Sequence, residues 1–295
     1  RLSSLALGLR RLSAAEAPGG ERERLELAAA CRAVCARNPA LAPSGEPGRE
    51  NLAAGHAGSG AIRCRIEGPA AQDVADVFQI RWAHQLSKGV TYADKSTPFT
   101  VERNLAPAGD HQVQITATLP QPFWEHAIAE SWFNAISMAE NYIYIEDQYF
   151  RMPMVNDLIV ERMKAKPNLR LIVITKPVSE WTDPGCAWTH ASHQLFKSNF
   201  PNRYMMLQLR AFDYVDVGWG WDETEVRWGD FDVHSKLMII DDKFLSVGSC
   251  NKNNRGLVYE GELNVAVLDA AWVREARRRV FANILPEGTA PTDDV

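Results

Sequence analysis

The sequence predicts an α/β fold in three layers, with a mixed, mostly buried sheet between helices. Strand-length apolar runs alternate along the chain with helical stripes, which is typical of layered α/β proteins. Several of these strands are apolar at every position, as strands buried on both faces are. The chain has 295 residues, of which 46% are hydrophobic and 23% charged, so it can bury a sizeable core.

The N-terminal part of the chain differs from the rest. Glu21–Ala36 is rich in Ala, Arg and Glu and is predicted to be a helix. Asn38–Gly60 is crowded with Pro, Gly and Ser and has no periodicity, which indicates a linker. Residues 1–60 are therefore expected to form a poorly defined helix and linker.

Regular patterns begin at Ile62. Strands are predicted at Ile62–Glu67, His111–Thr118, Tyr142–Ile145, Leu169–Thr175, Tyr204–Leu209, Val233–Ile240, Phe244–Val247 and Leu263–Leu268. Helices are predicted from Pro69, along the stripe from Trp124 to Ala139, near Asn156–Lys164 and along the stripe from Trp272 to Ile284. The stretch Asp213–Asp232 is rich in Trp and acidic residues, and a long hairpin whose tryptophans pack on the body of the protein is favoured there over a loop that binds a ligand.

Charge and composition narrow the function classes. The net charge is −5, whereas proteins that bind nucleic acid usually carry a basic face, so a nucleic-acid partner is not expected. Five cysteines are too few for a disulfide framework in a chain of this size. No apolar run reaches the length of a membrane span and no signal peptide is visible, which favours a soluble chain, either secreted or peripheral at membranes. Composition does not indicate the cellular compartment of the protein.

One stretch, from His234 to Asn251, concentrates chemically active residues. His234 and Lys236 are two apart, so an extended strand would direct both side chains to one face, with Asp241 on the other. Ser249 and Asn251 repeat the same spacing at the end of a neighbouring strand.

These residue types suit a phosphodiester substrate. An ammonium with amide or hydroxyl donors can hold the nonbridging oxygens and offset developing charge. A histidine can attack phosphorus or protonate a leaving oxygen near neutral pH. No set of carboxylates or of His and Cys at metal spacing accompanies them, so a route without metal or cofactor is favoured.

The pattern resembles the HKD motif of the phospholipase D superfamily, HxKxxxxD followed by GSxN. Glu262 stands where that family has an acidic residue that orients the catalytic histidine. Ile145–Phe150 resembles the IENQYF segment that opens the second half of two-motif phospholipases D. Arg65–Ala70 resembles the stretch that follows their first motif. The resemblance covers roughly Ile62 to Leu285.

The resemblance implies the phospholipase D fold, an α/β/α sandwich with a mixed sheet. Residues 61–110 would be the end of a first lobe with a connector, and residues 111–288 a second lobe that holds the motif. It also implies a hydrolase that converts a phospholipid at a membrane surface to phosphatidate and a free alcohol through a phosphohistidine, with possible transfer to another alcohol. The implied catalytic set is His234 as general acid/base, Lys236, Asp241 and Glu262, within which Asp241 is expected to have a structural role. The implied phosphate-binding set is Lys236, Ser249 and Asn251.

One departure from the family pattern puts the nucleophile in doubt. Two-motif members carry an earlier HxKxxxxD whose histidine forms the phosphohistidine, but that region offers only His56, without a Lys or Asp partner. Three explanations compete: a missing N-terminal half supplies the first motif, a second chain supplies it across a twofold axis, or the protein is an inactive remnant. The first is favoured.

Three other functions stay open as alternatives. A cardiolipin synthase-like transferase would use the same phosphohistidine, but those proteins usually carry N-terminal membrane spans. A single-motif homodimeric nuclease would be expected to be shorter and more basic. A non-catalytic lipid-binding module would need no nucleophile.

For three other groups of residues, an ordinary structural role is favoured over a functional one. His190 and His193 have a spacing that some metal sites use, but no third ligand lies nearby in sequence. Trp219 and Trp221 could hold a quaternary ammonium headgroup, although packing against the body of the protein is favoured. The arginines within residues 274–279 are predicted to form a solvated helix face rather than a lipid contact.

Overall fold

The computed structural model describes residues 36–37, 58–60, 62–89, 104–176, 185–216, 224–282 and 284. The helix predicted at Glu21–Ala36 lies outside these residues except for Ala36, which is in a short strand. His56, Trp219 and Trp221 also lie outside them.

Thirteen strands occur in the described residues. They are β1 (Ala36–Arg37), β2 (Gly58–Gly60), β3 (Ile62–Arg63), β4 (Val113–Leu119), β5 (Glu125–His126), β6 (Tyr142–Asp147), β7 (Arg170–Thr175), β8 (Tyr204–Gln208), β9 (Arg210–Asp216), β10 (Thr224–Val233), β11 (Lys236–Ile240), β12 (Phe244–Gly248) and β13 (Glu262–Val267). Eight of them form one sheet in the order β5-β4-β13-β12-β11-β6-β7-β8. The pairs β6–β7 and β7–β8 are parallel and the other pairs antiparallel, so the sheet is mixed.

Helices cover both faces of this sheet. They are α1 (Pro69–Ser87), α2 (Ala127–Met138), α3 (Pro153–Ala165), α4 (Cys186–Asn199) and α5 (Ala270–Ala282), with a π-helical turn at Arg255–Tyr259. Side chains of α2, α3 and α4 share one buried apolar cluster, and those of α1 and α5 share the other. The predicted α/β/α sandwich is confirmed.

Strand β6 is buried along its whole length because it lies between the two apolar clusters. Ile143 and Ile145 point into the cluster with α2, α3 and α4, whereas Tyr142 and Tyr144 point into the cluster with α5. Successive side chains on a strand leave opposite faces, so a central strand between two helical layers must be apolar at nearly every position.

Strands β9 and β10 pair in antiparallel fashion, as the long hairpin favoured for this stretch predicts. The structure corrects two other sequence predictions. Helix α4 was missed because its buried face includes Thr189 and Ser192, polar residues that break an apolar stripe. Arg277 is not solvated: its side chain is fully buried and its Nε lies 2.7 Å from a carboxylate oxygen of Asp242.

The boundaries proposed for residues 1–60, 61–110 and 111–288 stay predictions. Within the described parts of the chain, no helix combines the length and apolar character that crossing a bilayer requires.

Candidate active site

Five of the six predicted site residues, all except Asp241, meet at one edge of the central sheet, where β11 and β13 begin and β12 ends. Lys236 is the first residue of β11, and its register partner is Asp147, the last residue of β6. Leu237 pairs with Val247, so Gly248 at the end of β12 lies next to Lys236. Antiparallel pairing of these strands is what brings the start of one motif segment to the end of the next.

His234 lies just outside the strands, and this corrects the prediction of one continuous strand from Val233 to Ile240. Strand β10 ends at Val233 and β11 begins at Lys236, so His234 and Ser235 form a break between them. The side chain of His234 is exposed, whereas Lys236 is buried and its Nζ donates a hydrogen bond of 2.9 Å to the carbonyl oxygen of His234. His234 is therefore not part of β11, and its side chain is more exposed than that of Lys236.

The turn after β12 is held closely against β13. The Ser249 N–H donates to the carbonyl oxygen of Leu263 at 3.0 Å, and the Leu263 N–H donates to Ser249 Oγ at 3.0 Å. A Cβ on Gly248 would overlap the Leu263 carbonyl oxygen and the Asn264 side chain, so only glycine permits this approach. The glycine of the GSxN pattern thus lets Ser249 lie against β13.

Ser249, rather than His234, is the hydrogen-bond partner of Glu262. The Ser249 hydroxyl donates to Glu262 Oε2. His234 and Glu262 are both described, and no hydrogen bond joins them, so the expected carboxylate behind the histidine ring is not found in this arrangement. Burial raises the pKa of the Glu262 carboxyl above its usual range, while the Ser249 hydrogen bond and the Lys236 charge act against that shift.

Asn251 carries an unsatisfied buried acceptor. No donor among the described residues reaches its Oδ1. Leaving a buried polar atom unpaired costs about 1–3 kcal/mol, and such atoms in native structures often mark functional positions. The orphan oxygen needs a hydrogen-bond donor, whereas the amide nitrogen of the same side chain is the group that could donate to a phosphate oxygen.

Asp241 has a different position from the other predicted site residues. It follows the far end of β11, about 17 Å of strand away from Lys236 at about 3.3 Å per residue. Its Oδ1 accepts the N–H groups of Asn141 and Tyr142, both at 2.8 Å, and its Oδ2 accepts that of Glu140 at 2.7 Å. The carboxylate thus anchors the start of β6 at the opposite edge of the sheet, in line with the structural role that its position in the motif predicts, and its membership of the catalytic set stays a prediction.

The sequence pattern did not indicate that further charged groups border the site. Asp147 and Lys252 form an ion pair that is almost fully buried. Arg81 of α1 lies against Gly261, where a Cβ would come within 2.7 Å of its guanidinium carbon, and its charge opposes the upward pKa shift of Glu262. Lys252 directly follows Asn251 in the sequence, but its partner Asp147 lies 105 positions earlier. The pairing of β6 with β11 brings the two segments together.

A cavity of about 130 Å³ opens beside the turn that contains Asn251. Its lining consists of Arg151, Pro153, Trp188, Asn253, Asn254 and Arg255. The arginines have protein neighbours of their own, since Arg151 stacks on the ring of Tyr149 and Arg255 is ion-paired with Glu260.

A protein-family model matches the part of the chain that contains the site residues. The model described as cardiolipin synthase, phospholipase D-like domain matches residues 133–284, just over half of the chain, and this range includes every predicted site residue. The chain belongs to the phospholipase D superfamily.

Similar proteins carry several names within this superfamily. Phospholipase D A of Dictyostelium discoideum is 30% identical over 245 residues, which cover 70% of this chain and 18% of that protein. The probable cardiolipin synthase YwiE of Bacillus subtilis is 25% identical over 211 residues, which cover 71% of this chain and 36% of that protein. The chain spans only 16–24% of the length of the phospholipase D relatives it matches.

Solved structures of the superfamily have similar chains. Nuc of Salmonella typhimurium matches with a TM-score of 0.42 and 15% identity, covering 62% of this chain and 100% of that one. NucT of Helicobacter pylori matches with a TM-score of 0.40 and 15% identity, covering 61% and 100%.

The raised pKa of Glu262 predicts how a neutral substitution changes stability with pH. A carboxyl with a raised folded-state pKa contributes stability below its unfolded pKa, and that contribution is lost as the pH rises through the folded pKa. We expect Glu262→Gln to melt at a higher temperature than the native chain near neutral pH, with the difference vanishing near about pH 4. Thermal melts of both chains at a series of pH values measure this difference. A Glu262→Gln chain that melts at a lower temperature than the native chain at neutral pH contradicts the prediction.

Proposed function

We propose that this chain is the second-motif half of a phospholipase D-type phosphodiesterase that converts a phospholipid to phosphatidate and a free alcohol. One observation carries the proposal: in a chain of this superfamily, the motif residues His234, Lys236 and Asn251 lie at a single sheet edge, with Ser249 and Glu262 beside them. An imidazole, a cation and neutral donors at one place are what hydrolysis of a phosphodiester without metal requires.

Each residue has a proposed role in this reaction. Lys236 and Asn251 bind the nonbridging phosphate oxygens, and Lys236 offsets the charge that develops on them. The exposed imidazole of His234 donates a proton to the departing alcohol oxygen, then removes a proton from the attacking water. Ser249 and Glu262 hold one another, so Glu262 contributes negative charge near Lys236 rather than a direct contact with His234.

The nucleophile is proposed to come from a second copy of the motif. Its imidazole would form a bond to phosphorus while the bond from phosphorus to the headgroup oxygen breaks, and water would then release phosphatidate and regenerate the imidazole. A longer chain that contains this sequence, or a second chain, could supply that histidine. The short span relative to the phospholipase D relatives supports the first source.

Transfer to a lipid alcohol is a second candidate activity, because the matching family model and several similar proteins bear the name cardiolipin synthase. It differs from hydrolysis only in the acceptor. A lipid hydroxyl would take the place of water at the phosphohistidine, so the same His234 would remove its proton.

Product analysis tests the proposal and separates the candidates. The purified chain, alone and within a longer chain that carries a first motif, is incubated with phosphatidylcholine or phosphatidylglycerol vesicles, with and without ethanol, and products are followed by mass spectrometry. We expect phosphatidate and choline from phosphatidylcholine, and phosphatidylethanol when ethanol competes with water. Cardiolipin and glycerol from phosphatidylglycerol alone would indicate the transferase instead.

The dependence of rate on chain concentration addresses the missing nucleophile. A rate that rises with the square of the chain concentration indicates that two copies complete one site. Vesicle binding without product, both from this chain at any concentration and from a longer chain that carries a first motif, would contradict the proposed catalysis and favour the lipid-binding alternative.

A further inference from the structure

Two opposite charges are buried beside the phosphate-binding turn. The side chains of Asp147 and Lys252 are 0% and 1% exposed, and the Lys252 Nζ lies 3.2 Å from Asp147 Oδ2. The same ammonium lies 4.5 Å from the ring centroid of Trp132. Burying a charge is costly unless it is paired, so removing either partner leaves the other in an apolar environment.

Asp147 does more than neutralise a charge. Its Oδ2 also accepts the backbone N–H of Lys252 at 3.1 Å, and its Oδ1 accepts the N–H of Tyr149 at 2.8 Å. The carboxylate therefore ties the segment after Asn251 to the segment that follows β6. Both oxygens are engaged, which a carboxylate permits and a carboxamide does not.

The segment before Asn251 is held in a similar way. The Cys250 N–H donates to Asn264 Oδ1 at 3.1 Å, and Asn264 is 1% exposed. Asn251 thus lies between two backbone N–H groups, each bonded to a buried side-chain oxygen. These two bonds restrict the backbone on either side of the residue and so restrict the direction of its side chain.

The two attachments belong to one buried network. Asn264 Nδ2 donates to Ser246 Oγ at 3.1 Å, and Trp132 Nε1 donates to the same oxygen at 2.9 Å. Lys252 closes the chain of contacts through the Trp132 ring. Because all these side chains are buried, a shift of one is transmitted to the others.

We infer that the Asp147–Lys252 ion pair is a positioning device for the phosphate site, which fixes Asn251 relative to Lys236. Asp147 is the register partner of Lys236 in the sheet, so one carboxylate borders both residues that bind phosphate. The inference rests on the proposed function for the identity of the ligand. Asp147 and Lys252 act through Asn251 and Lys236 and do not contact the substrate.

The test compares Asp147→Asn with a matched control. Asparagine has one acceptor oxygen, so it cannot serve both Tyr149 and Lys252 and leaves the ammonium without a counter-charge. The control is Asp242→Asn, which removes the charged partner of the fully buried Arg277 beside Asp241, at the opposite sheet edge. Affinity for inorganic phosphate is measured by calorimetry well below the melting temperature of each variant.

We expect Asp147→Asn to weaken phosphate binding tenfold or more, and Asp242→Asn to change it less than twofold. Both variants should lower the melting temperature. Hydrogen exchange gives a second readout: the amides of Cys250 and Lys252 should exchange at least tenfold faster in Asp147→Asn only. Equal weakening of phosphate binding by both variants, or no weakening by Asp147→Asn, overturns the inference.

A double variant separates positioning from simple stabilisation. Asp147→Asn with Lys252→Met removes both charges, so the melting temperature should recover while phosphate affinity stays low. Recovery of both together would overturn the positioning role. If the native chain binds no phosphate, the proposed phosphate site is wrong, and the exchange rates of Cys250 and Lys252 still decide whether Asp147 holds the Asn251 segment.

Discussion

Replacing His234 by Asn is expected to lower kcat for phosphatidylcholine hydrolysis by about 10²–10⁴-fold, the usual contribution of a general acid/base. Asparagine can donate a hydrogen bond but cannot pass a proton to the departing alcohol oxygen. The side chain of His234 is exposed and lies between two strands, so its loss should leave the fold and the melting temperature nearly unchanged. Steady-state kinetics and a thermal melt of the same preparation measure both quantities.

A second exposed histidine supplies the control for this substitution. His190 lies on α4 and lines a separate cavity of about 430 Å³ formed with β8. His190→Asn should retain native kcat. A His234→Asn variant that raises KM but keeps native kcat would falsify the acid/base assignment, because only binding would then have been lost.

Replacing Asp241 by Ala is expected to lower the free energy of unfolding by about 2–4 kcal/mol without changing kcat. Three backbone N–H groups, of Glu140, Asn141 and Tyr142, lose their acceptor. Alanine is also less tolerant than aspartate of the positive φ of 53° at this position. Urea denaturation gives the stability, and kinetics at a temperature where the variant is fully folded give kcat.

Asp241→Asn separates the two causes. Asparagine tolerates a positive φ and keeps one acceptor oxygen, so its loss of stability should be smaller than that of Asp241→Ala. A tenfold fall in kcat for a fully folded Asp241→Ala chain would keep Asp241 in the catalytic set, against the distance that separates it from Lys236.

The sheet was largely predictable because its strands are buried on both faces. Such strands require apolar side chains at consecutive positions, and Leu169–Thr175 and Phe244–Val247 carry that requirement in their composition. Helix α4 was not predictable in this way. Its buried face includes Thr189 and Ser192, so its sequence lacks a continuous apolar stripe.

The candidate site shows the same division. Residue type and spacing marked His234, Lys236 and Asn251, because phosphate chemistry requires those groups and the motif keeps them close in sequence. The partner of Glu262 could not be read in this way. Ser249 takes the carboxylate because the turn after β12 is packed against β13, a contact between segments 13 residues apart.

The sequence by itself determined the family, the layered α/β architecture and the segment that carries the chemistry, since these follow from local residue types and short spacings. Only the tertiary structure shows which backbone groups Asp241 binds and that Asp147 is paired with Lys252 beside Asn251. The physical reason is that hydrogen bonds and ion pairs act over a few ångströms. Only the order in which β6, β11, β12 and β13 join the sheet determines which distant residues come within that range.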